Sequence, residues 1–371
     1  MKIGLNATCL NDRPSGAKQR FEGIYGALVQ QLRDVEFVLY EPADCRVGDW
    51  FSGAPNVRTR RTPVPSEGRL AKVIYGAGYW PFGLRDECFD VFECFNQPLV
   101  RSPSGRTFTT IHDIRRVYAD WSFPERHVYT VSLRKTLKAA DQVITVSETM
   151  RAEIMAFYPD ARVSVVYNGL NPELFSAVTA PDIHDVRRKF GLPSQFILAV
   201  GHFERRKNYL RLIDAIALLR DRGFDCYLVV VGNDSGERRL VEERVAAAGL
   251  SSQVKILSGL SDLEVRCVYK LTSMFVFPSS YEGFGIPILE AMAAGVPTVL
   301  SDIAVFKEIT ENKGVYFPHD EPEAIAEAIE STLSSSERCR ALTQYGDRRV
   351  LDFSFTALSG QVANLYSLSR N

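Results

Sequence analysis

Residues Met274 to Leu300 read MFVFPSSYEGFGIPILEAMAAGVPTVL, and the fold is decided in this stretch. Met274–Phe277 is a short apolar and aromatic run with the composition of a buried strand. Pro287–Ala294 has helical composition, and Pro287 suits a first turn, where a missing N–H costs nothing. Thr298–Leu300 is again strand-like. A strand, a glycine-containing loop, a helix and a second strand in that order make a parallel βαβ unit.

The same rhythm extends outward in both directions. Upstream, Phe196–Val200, Cys226–Val231 and Val254–Leu257 read as strands, separated by helical patterns at Leu210–Arg222, Glu237–Ala248 and Ser261–Leu271. The first half carries strands at Lys2–Leu5, Glu36–Tyr40, Val91–Cys94, Thr107–Ile111, Gln142–Val146 and Val163–Tyr167, with helices at Phe21–Leu32 and Val128–Ala140. Alternation of this kind argues for parallel sheets covered by helices on both faces, and two series of it imply two Rossmann-like domains. The turn dipeptide Asn168-Gly169 and the aperiodic stretch Ala177–Asp185 put the linker at about 170–185. The expected division is an N-terminal domain over residues 1–170 and a second domain over 171–354. A last helix over 355–371, with no strand after it, is expected to pack back on the N-terminal domain.

Composition narrows the function. The 371 residues are 46% hydrophobic, enough for two cores, and the net charge is −1. Residues 1–170 carry 22 Lys and Arg against 19 Asp and Glu, and residues 171–371 carry 22 against 26, so neither half has the basic bias of a nucleic-acid binder. Seven scattered cysteines without a C-x-x-C pair argue against a zinc site or disulfide framework and fit a reducing cytoplasm. The opening MKIGLNATCL reads as a first strand rather than a secretion signal. No apolar run approaches the ~20 residues that span a bilayer. A cytoplasmic protein is expected, at most peripheral to the inner membrane face.

Ligands of open parallel sheets bind beyond the carboxyl ends of the strands, so the loops there carry the chemistry. After Met274–Phe277, Gly283 and Gly285 free the backbone to approach a ligand, and the N-terminus of the next helix offers unpaired N–H groups to a diphosphate. Glu282 and Glu290, with seven residues between them, supply carboxylates that accept hydrogen bonds from vicinal hydroxyls. Either acid alone is more often a solvated residue near a helix start. The combination of strand, glycines, proline and two acids fits a nucleotide-sugar.

The string YEGFGIPILEAMAAGVPTVLSD resembles the E-x7-E region of retaining family 4 glycosyltransferases. These have the GT-B fold, an α/β architecture of two Rossmann-like parallel-sheet domains facing each other across a cleft. The resemblance covers Tyr281–Glu308 closely and most of Phe196–Ser301 in pattern. It implies that Glu282 faces the donor sugar, that Glu290 binds the ribose hydroxyls, and that the backbone of Gly283, Phe284, Gly285 and Ile286 holds sugar and phosphates. The segment Gly201–Asn208, GHFERRKN, is similar to the family's VGxxxxRKN. This implies a phosphate-binding role for Arg206 and Lys207, with Gly201 beside them. His202 stands where many relatives have Arg. His112 and Asp113, after Thr107–Ile111, resemble the family's HD motif, which implies a donor-sugar contact oriented by the carboxylate. Gly16, in the loop Asn11–Gln19, resembles part of a glycine-rich loop near the donor phosphates, and Lys18 and Arg20 are expected to face phosphate or acceptor. Gly232 and Leu257, each at a strand end, are expected to line the nucleotide site. Ser147 resembles the serine of a family VS segment, although helix capping explains it equally well. For Arg58, Arg60 and Arg61, solvation is weighed against attraction to an anionic lipid.

The implied activity is retaining transfer of a hexose-type sugar from a nucleotide diphosphate donor to a saccharide or lipid-linked saccharide. Bacterial surface-polysaccharide or lipopolysaccharide assembly is the expected setting, and mannosyl transfer from GDP-mannose the first donor reading. No D-x-D motif occurs, so neither a metal nor a further cofactor is expected. The alternatives are a nucleotide-sugar epimerase or hydrolase on the same fold, and a non-catalytic GT-B partner subunit. An NAD-dependent oxidoreductase is disfavoured because the first strand–turn–helix unit lacks G-x-G-x-x-G.

Overall fold

The computed structural model describes residues 1–95, 99–118 and 122–367. The chain forms two compact units, Met1–Gly169 together with the chain from Phe353 onward, and Leu170–Asp352. The first holds β1 (Lys2–Asn6), β2 (Glu36–Glu41), β3 (Val57–Arg61), β4 (Val91–Cys94), β5 (Arg106–Ile111), β6 (Gln142–Thr145) and β7 (Val163–Val165), in the order β3-β2-β1-β4-β5-β6-β7. The second holds β8 (Ile197–Val200), β9 (Leu228–Val231), β10 (Val254–Leu257), β11 (Met274–Phe277), β12 (Thr298–Ser301) and β13 (Val315–Phe317), in the order β10-β9-β8-β11-β12-β13. All strand pairs are parallel. The strand order reverses between β1 and β4 and between β8 and β11. Loops diverge at these switch points and leave a crevice beyond the strand ends.

Helices cover both sheet faces, which is why β4, β9, β11 and β12 are buried at every position. Along β2, Phe37 and Leu39 pack with Phe21, Leu28 and Leu358, whereas Val38 and Tyr40 pack with Phe89, Phe92 and Trp80 on the other face. The helix Phe355–Ser367 belongs to the first unit. Its Phe355 ring fills the space above Gly23, where a Cβ would lie 2.2 Å from the ring. Near its end, Tyr366 donates to Glu93, a fully buried carboxyl group that also accepts from Tyr25 at 2.7 Å and from Thr110. Burial raises the pKa of Glu93, while these donors and nearby Arg20 oppose the shift. Three hydroxyl donors on one buried carboxyl tie the last helix to the sheet.

The structure departs from the sequence expectations at several places. β3, β13 and the helix Arg69–Gly83 were not foreseen. The stretch taken as a linker contains the helix Ala180–Phe190, started by a Thr179–Asp182 capping box and stopped by Gly191 at φ 55°. The first helix begins at Gly16 and runs to Gln31 through a π-helical turn at Phe21–Tyr25. Arg20, just before that turn, is buried. Its Nη1 donates to the carbonyls of Val166 at 2.8 Å and Tyr167 at 2.6 Å and to Asn168 Oδ1 at 3.2 Å, so it is buried away from solvent and ties the helix to the segment after β7. Arg58, Arg60 and Arg61 lie on β3 and are exposed, as the solvated reading expected, and they also make contacts: Arg58 and Arg60 pair with the buried Glu87, and Arg61 donates to the Ala43 carbonyl.

Tyr366→Phe removes one donor from a buried carboxyl and is expected to cost ~1–3 kcal/mol of stability. Denaturant unfolding of the variant checks this, and an unchanged midpoint would show that Glu93 does not depend on the last helix.

Candidate functional site

The second unit brings two of the quoted loops together at its switch point. β8 ends at Val200, and Gly201 follows at φ 150°. A Cβ on Gly201 would lie 2.8 Å from Lys207 Cε, so the glycine makes room for that lysine. Gly232, after β9, is held for a similar reason, because its Cβ would lie 2.0 Å from the Gly201 carbonyl oxygen. The chain then makes a short 3-10 turn over Arg205–Lys207 and enters the helix Tyr209–Asp221 through Asn208 at φ 58°. Asn208 Nδ2 donates to the carbonyls of Pro278, at 3.2 Å, and His319. Its side chain thereby staples the turn to the loop after β11, where Ser280 N–H also donates to the Arg206 carbonyl at 2.8 Å.

This staple places Lys207 and Arg206 against Glu282. Lys207 Nζ is buried, lies 4.6 Å from the centre of the Phe277 ring, and donates to Glu282 Oε1 at 2.7 Å. Arg206 Nη1 lies 2.5 Å from the same oxygen, and Ser279 Oγ donates to it at 3.0 Å. Arg206 Nε also bonds Glu204 at 2.7 Å, and its Nη1 donates to the Tyr281 carbonyl at 3.2 Å. Burial alone would raise the Glu282 pKa. Lys207 and Arg206 outweigh it and pull the carboxyl down to about 2. Burial lowers the pKa of Lys207 and Glu282 opposes that shift. Glu282 is therefore a carboxylate at any working pH.

Gly283, Phe284 and Gly285 follow, with Phe284 buried and Gly285 at φ 128° as the N-cap of the helix Ile286–Ala293. A Cβ on Gly285 would crowd Phe306 at 3.1 Å and Ile288 at 3.2 Å. Glu290 lies one turn into this helix and accepts from the Tyr269 hydroxyl at 2.9 Å. Burial raises its pKa to about 7, with Asp262 adding to the rise.

The neighbouring loops are cross-linked by hydrogen bonds. Gly201 N–H donates to the Val231 carbonyl and Gly232 N–H to the Leu257 carbonyl, each at 2.9 Å. Ser258 Oγ donates to the Gly232 carbonyl at 2.6 Å, and Gly259 N–H to Asn233 Oδ1 at 3.1 Å. Gly201, Gly232 and Leu257 thus share one end of the sheet with Arg206, Lys207, Glu282 and Glu290. His202 is half-buried there, with its Nδ1 unpartnered among the described residues.

The remaining expected residues lie in the first unit. His112 follows β5, and burial, with Arg20 nearby, lowers its pKa to about 3, so its imidazole is neutral. Asp113 accepts from the Arg115 N–H at 3.2 Å and lies 3.8 Å from its guanidinium, so it caps the following turn. Gly16 is the first residue of its helix, behind Ser15, whose side chain accepts from Lys18 N–H. Lys18 Nζ reaches the Asp12 carbonyl at 3.3 Å and lies over the Trp50 ring. Ser147 caps its helix by accepting from Met150 N–H.

Sequence reasoning passed over Ser279, Glu204, Asn208 and Tyr269. The first three stood inside or beside quoted segments. Tyr269 carried no signal, because its link to Glu290 exists only in three dimensions.

A raised carboxyl pKa makes the folded state bind a proton more tightly than the unfolded chain does. Glu290 therefore contributes stability below pH 4.5, and this is lost as pH rises toward about 7. Glu290→Gln removes that loss. Across this range the variant is expected to gain up to ~3 kcal/mol relative to the unmodified protein. Unfolding curves at several pH values check the trend, and a difference independent of pH contradicts it.

A family model described as "Glycosyl transferases group 1" matches residues 182–349, and one described as "Glycosyl transferase 4-like domain" matches residues 15–169. O-antigen chain mannosyltransferase B of Escherichia coli is 29% identical over 269 residues, which cover 71% of this chain and 70% of that protein. Among solved structures, sucrose-phosphate synthase of Thermosynechococcus elongatus superimposes with a TM-score of 0.78 at 21% identity, over 99% of this chain and 98% of that one. HepE of Anabaena, in complex with UDP and glucose, superimposes with a TM-score of 0.75 at 20% identity, over 99% of each chain. At such identities the likeness to these structures speaks for the fold alone. One family model falls within each unit, and on that basis the chain belongs to the family 4 glycosyltransferases of GT-B fold.

Proposed function

We propose that this glycosyltransferase moves a hexose from a nucleoside diphosphate donor to a saccharide or lipid-linked saccharide acceptor, with retention at the anomeric carbon. The observation that carries the donor half is the convergence of Lys207, Arg206 and Ser279 on one oxygen of Glu282, beside the glycine-bounded N-terminus of the helix Ile286–Ala293.

When the glycosidic bond breaks, the leaving diphosphate gains negative charge. Arg206 and Lys207 are fixed before any donor arrives, so they oppose that charge without reorganising, and no metal ion is needed for the purpose. The backbone N–H groups around Gly283–Ile286 add to this field. Glu282, held ionised, acts as a hydrogen-bond acceptor. Its described contacts all fall on Oε1, which leaves Oε2 to receive a sugar hydroxyl. Glu290 takes the ribose hydroxyls. The loops of Gly201, Gly232 and Leu257 flank the nucleotide. On the first unit, neutral His112 can hydrogen-bond a donor-sugar hydroxyl but carries no charge to stabilise the leaving group. Gly16 is assigned to the donor phosphates and the rest of that unit to the acceptor.

Similarity to an O-antigen mannosyltransferase supports surface-polysaccharide or lipopolysaccharide assembly as the setting, and makes GDP-mannose the first donor to test. The Anabaena neighbour with UDP and glucose supports a nucleotide-sugar donor in general and argues for including UDP-sugars. Such donors belong to the cytoplasm, where the reaction is placed.

Lys207→Ala and Glu282→Gln are expected to lower turnover ~10²-fold or more while the fold persists. Release of nucleoside diphosphate from a donor panel measures turnover, and thermal unfolding reports folding. Near-normal release by both folded variants sinks the site assignment.

A further inference from the structure

The edges of the two sheets are not alike. β3 closes one edge of the first sheet and exposes Arg58, Arg60 and Arg61 along it. β10 closes an edge of the second sheet, and its Lys255 Nζ donates to the carbonyls of Phe190 at 2.6 Å and Gly191 at 3.0 Å. Charged side chains of this kind keep an edge from pairing with another chain. β7, at the other edge of the first sheet, reads Val163-Ser164-Val165 and carries no charge.

The register shows which backbone groups of β7 are left over. Its three residues stand opposite Val143, Ile144 and Thr145 of the parallel strand β6. Val143 N–H donates to the Arg162 carbonyl at 2.8 Å, and Val166 N–H donates to the Thr145 carbonyl at 2.9 Å. Successive residues of a strand turn their backbone groups to opposite sides. Arg162, Ser164 and Val166 therefore face β6, while the N–H and C=O groups of Val163 and Val165 point away from it. Among the described residues these four groups have no hydrogen-bond partner.

This edge lies at the bottom of a trough. The helices Glu148–Phe157 and Phe355–Ser367 flank it. Arg151 from the first helix, with Gln361, Asn364 and Leu365 from the second, walls a space of about 430 Å³ whose floor is β7. All three floor residues are half-buried. Arg151 is the one charged residue of the lining. Its Nη1 pairs with Glu148 at 2.9 Å, its side chain is 41% exposed, and its Nε has no partner among the described residues. The rest of this guanidinium is left for an incoming carboxylate.

We propose that the trough receives one extended peptide segment of a partner protein, which adds to the first sheet beside β7 and sets an acidic side chain against Arg151. Donors and acceptors that alternate along the floor match the backbone of another strand, whose own groups alternate in the same way. The main chain supplies the affinity in this mode, and the carboxylate supplies the preference among segments. A second copy of the chain is the poorer occupant. Twofold pairing of β7 with itself would bring two Arg151 side chains into one trough. The inference goes beyond the proposed transfer reaction and is read without any sugar donor.

The experiment is calorimetric titration of the full chain with short end-blocked peptides that alternate valine and threonine and carry glutamate or lysine at one central position. The glutamate peptide is expected to bind about tenfold more tightly than the lysine peptide, and Arg151→Glu to reverse that order. Methylating every backbone nitrogen of the glutamate peptide removes its donors and keeps its side chains, and is expected to abolish binding. Val165→Pro deletes one outward N–H and leaves the bonds to β6 in place. It is expected to weaken binding about tenfold, with thermal unfolding reporting that the variant folds. Four results overturn the proposal: no binding of either peptide by the unmodified chain, equal binding of the methylated peptide, equal binding by a folded Val165→Pro variant, or a dimerisation of the chain that Val165→Pro abolishes.

Discussion

The second unit depends on one buried ion cluster, Lys207 and Arg206 on Glu282. An ammonium and a carboxylate in a low-dielectric setting are each costly, and removing one partner from such a pair typically costs ~3–5 kcal/mol. The cluster cannot form unless the loop after β8 and the loop after β11 take up one particular arrangement. Gly201 and Gly232 vacate the necessary space, Asn208 accepts a left-handed conformation to bridge the loops, and Ser280 joins them through the backbone. Local strain and two invested glycines are thus exchanged for a fixed pair of cations beside a helix N-terminus.

Preorganisation of this kind has a chemical consequence. A charge that is already in place stabilises developing negative charge without waiting for solvent or side chains to move. The same low dielectric separates the two acids of the E-x7-E string. Glu282, against two cations, is driven to about 2, whereas burial, with Asp262 nearby, drives Glu290 to about 7 against the opposing hydrogen bond from Tyr269. Two glutamates eight positions apart therefore offer a permanent acceptor and a titrating one. Only the former suits a group that must never compete for a proton during the reaction.

Much of this was legible in the sequence because the second unit obeys local rules. Its buried parallel strands are continuous apolar runs bounded by turn residues, and its site loops fall directly after them. The misses have physical causes. β3 is an exposed edge strand of arginines without an apolar pattern, and β13 is three residues long. The helix Arg69–Gly83 carries large apolar residues on its exposed side as well, and Pro81 and three glycines argue against it. Ala180–Phe190 was missed although Thr179 and Asp182 spell a capping box, because Pro181 was read as a linker signal when it sits in the helix's first turn. Arg20 could not be read correctly, since its partners, the carbonyls of Val166 and Tyr167 and the side chain of Asn168, lie nearly 150 residues away along the chain.

The central claim is that Lys207 and Arg206 hold the diphosphate of a nucleotide donor. Calorimetric titration of UDP, GDP and ADP, each against its nucleoside monophosphate, into the unmodified chain and into Lys207→Met tests it directly. One nucleoside diphosphate should bind saturably and more tightly than its monophosphate, with that preference lost in the variant. A folded variant that keeps the preference, or an unmodified chain that binds no nucleoside diphosphate, contradicts the account.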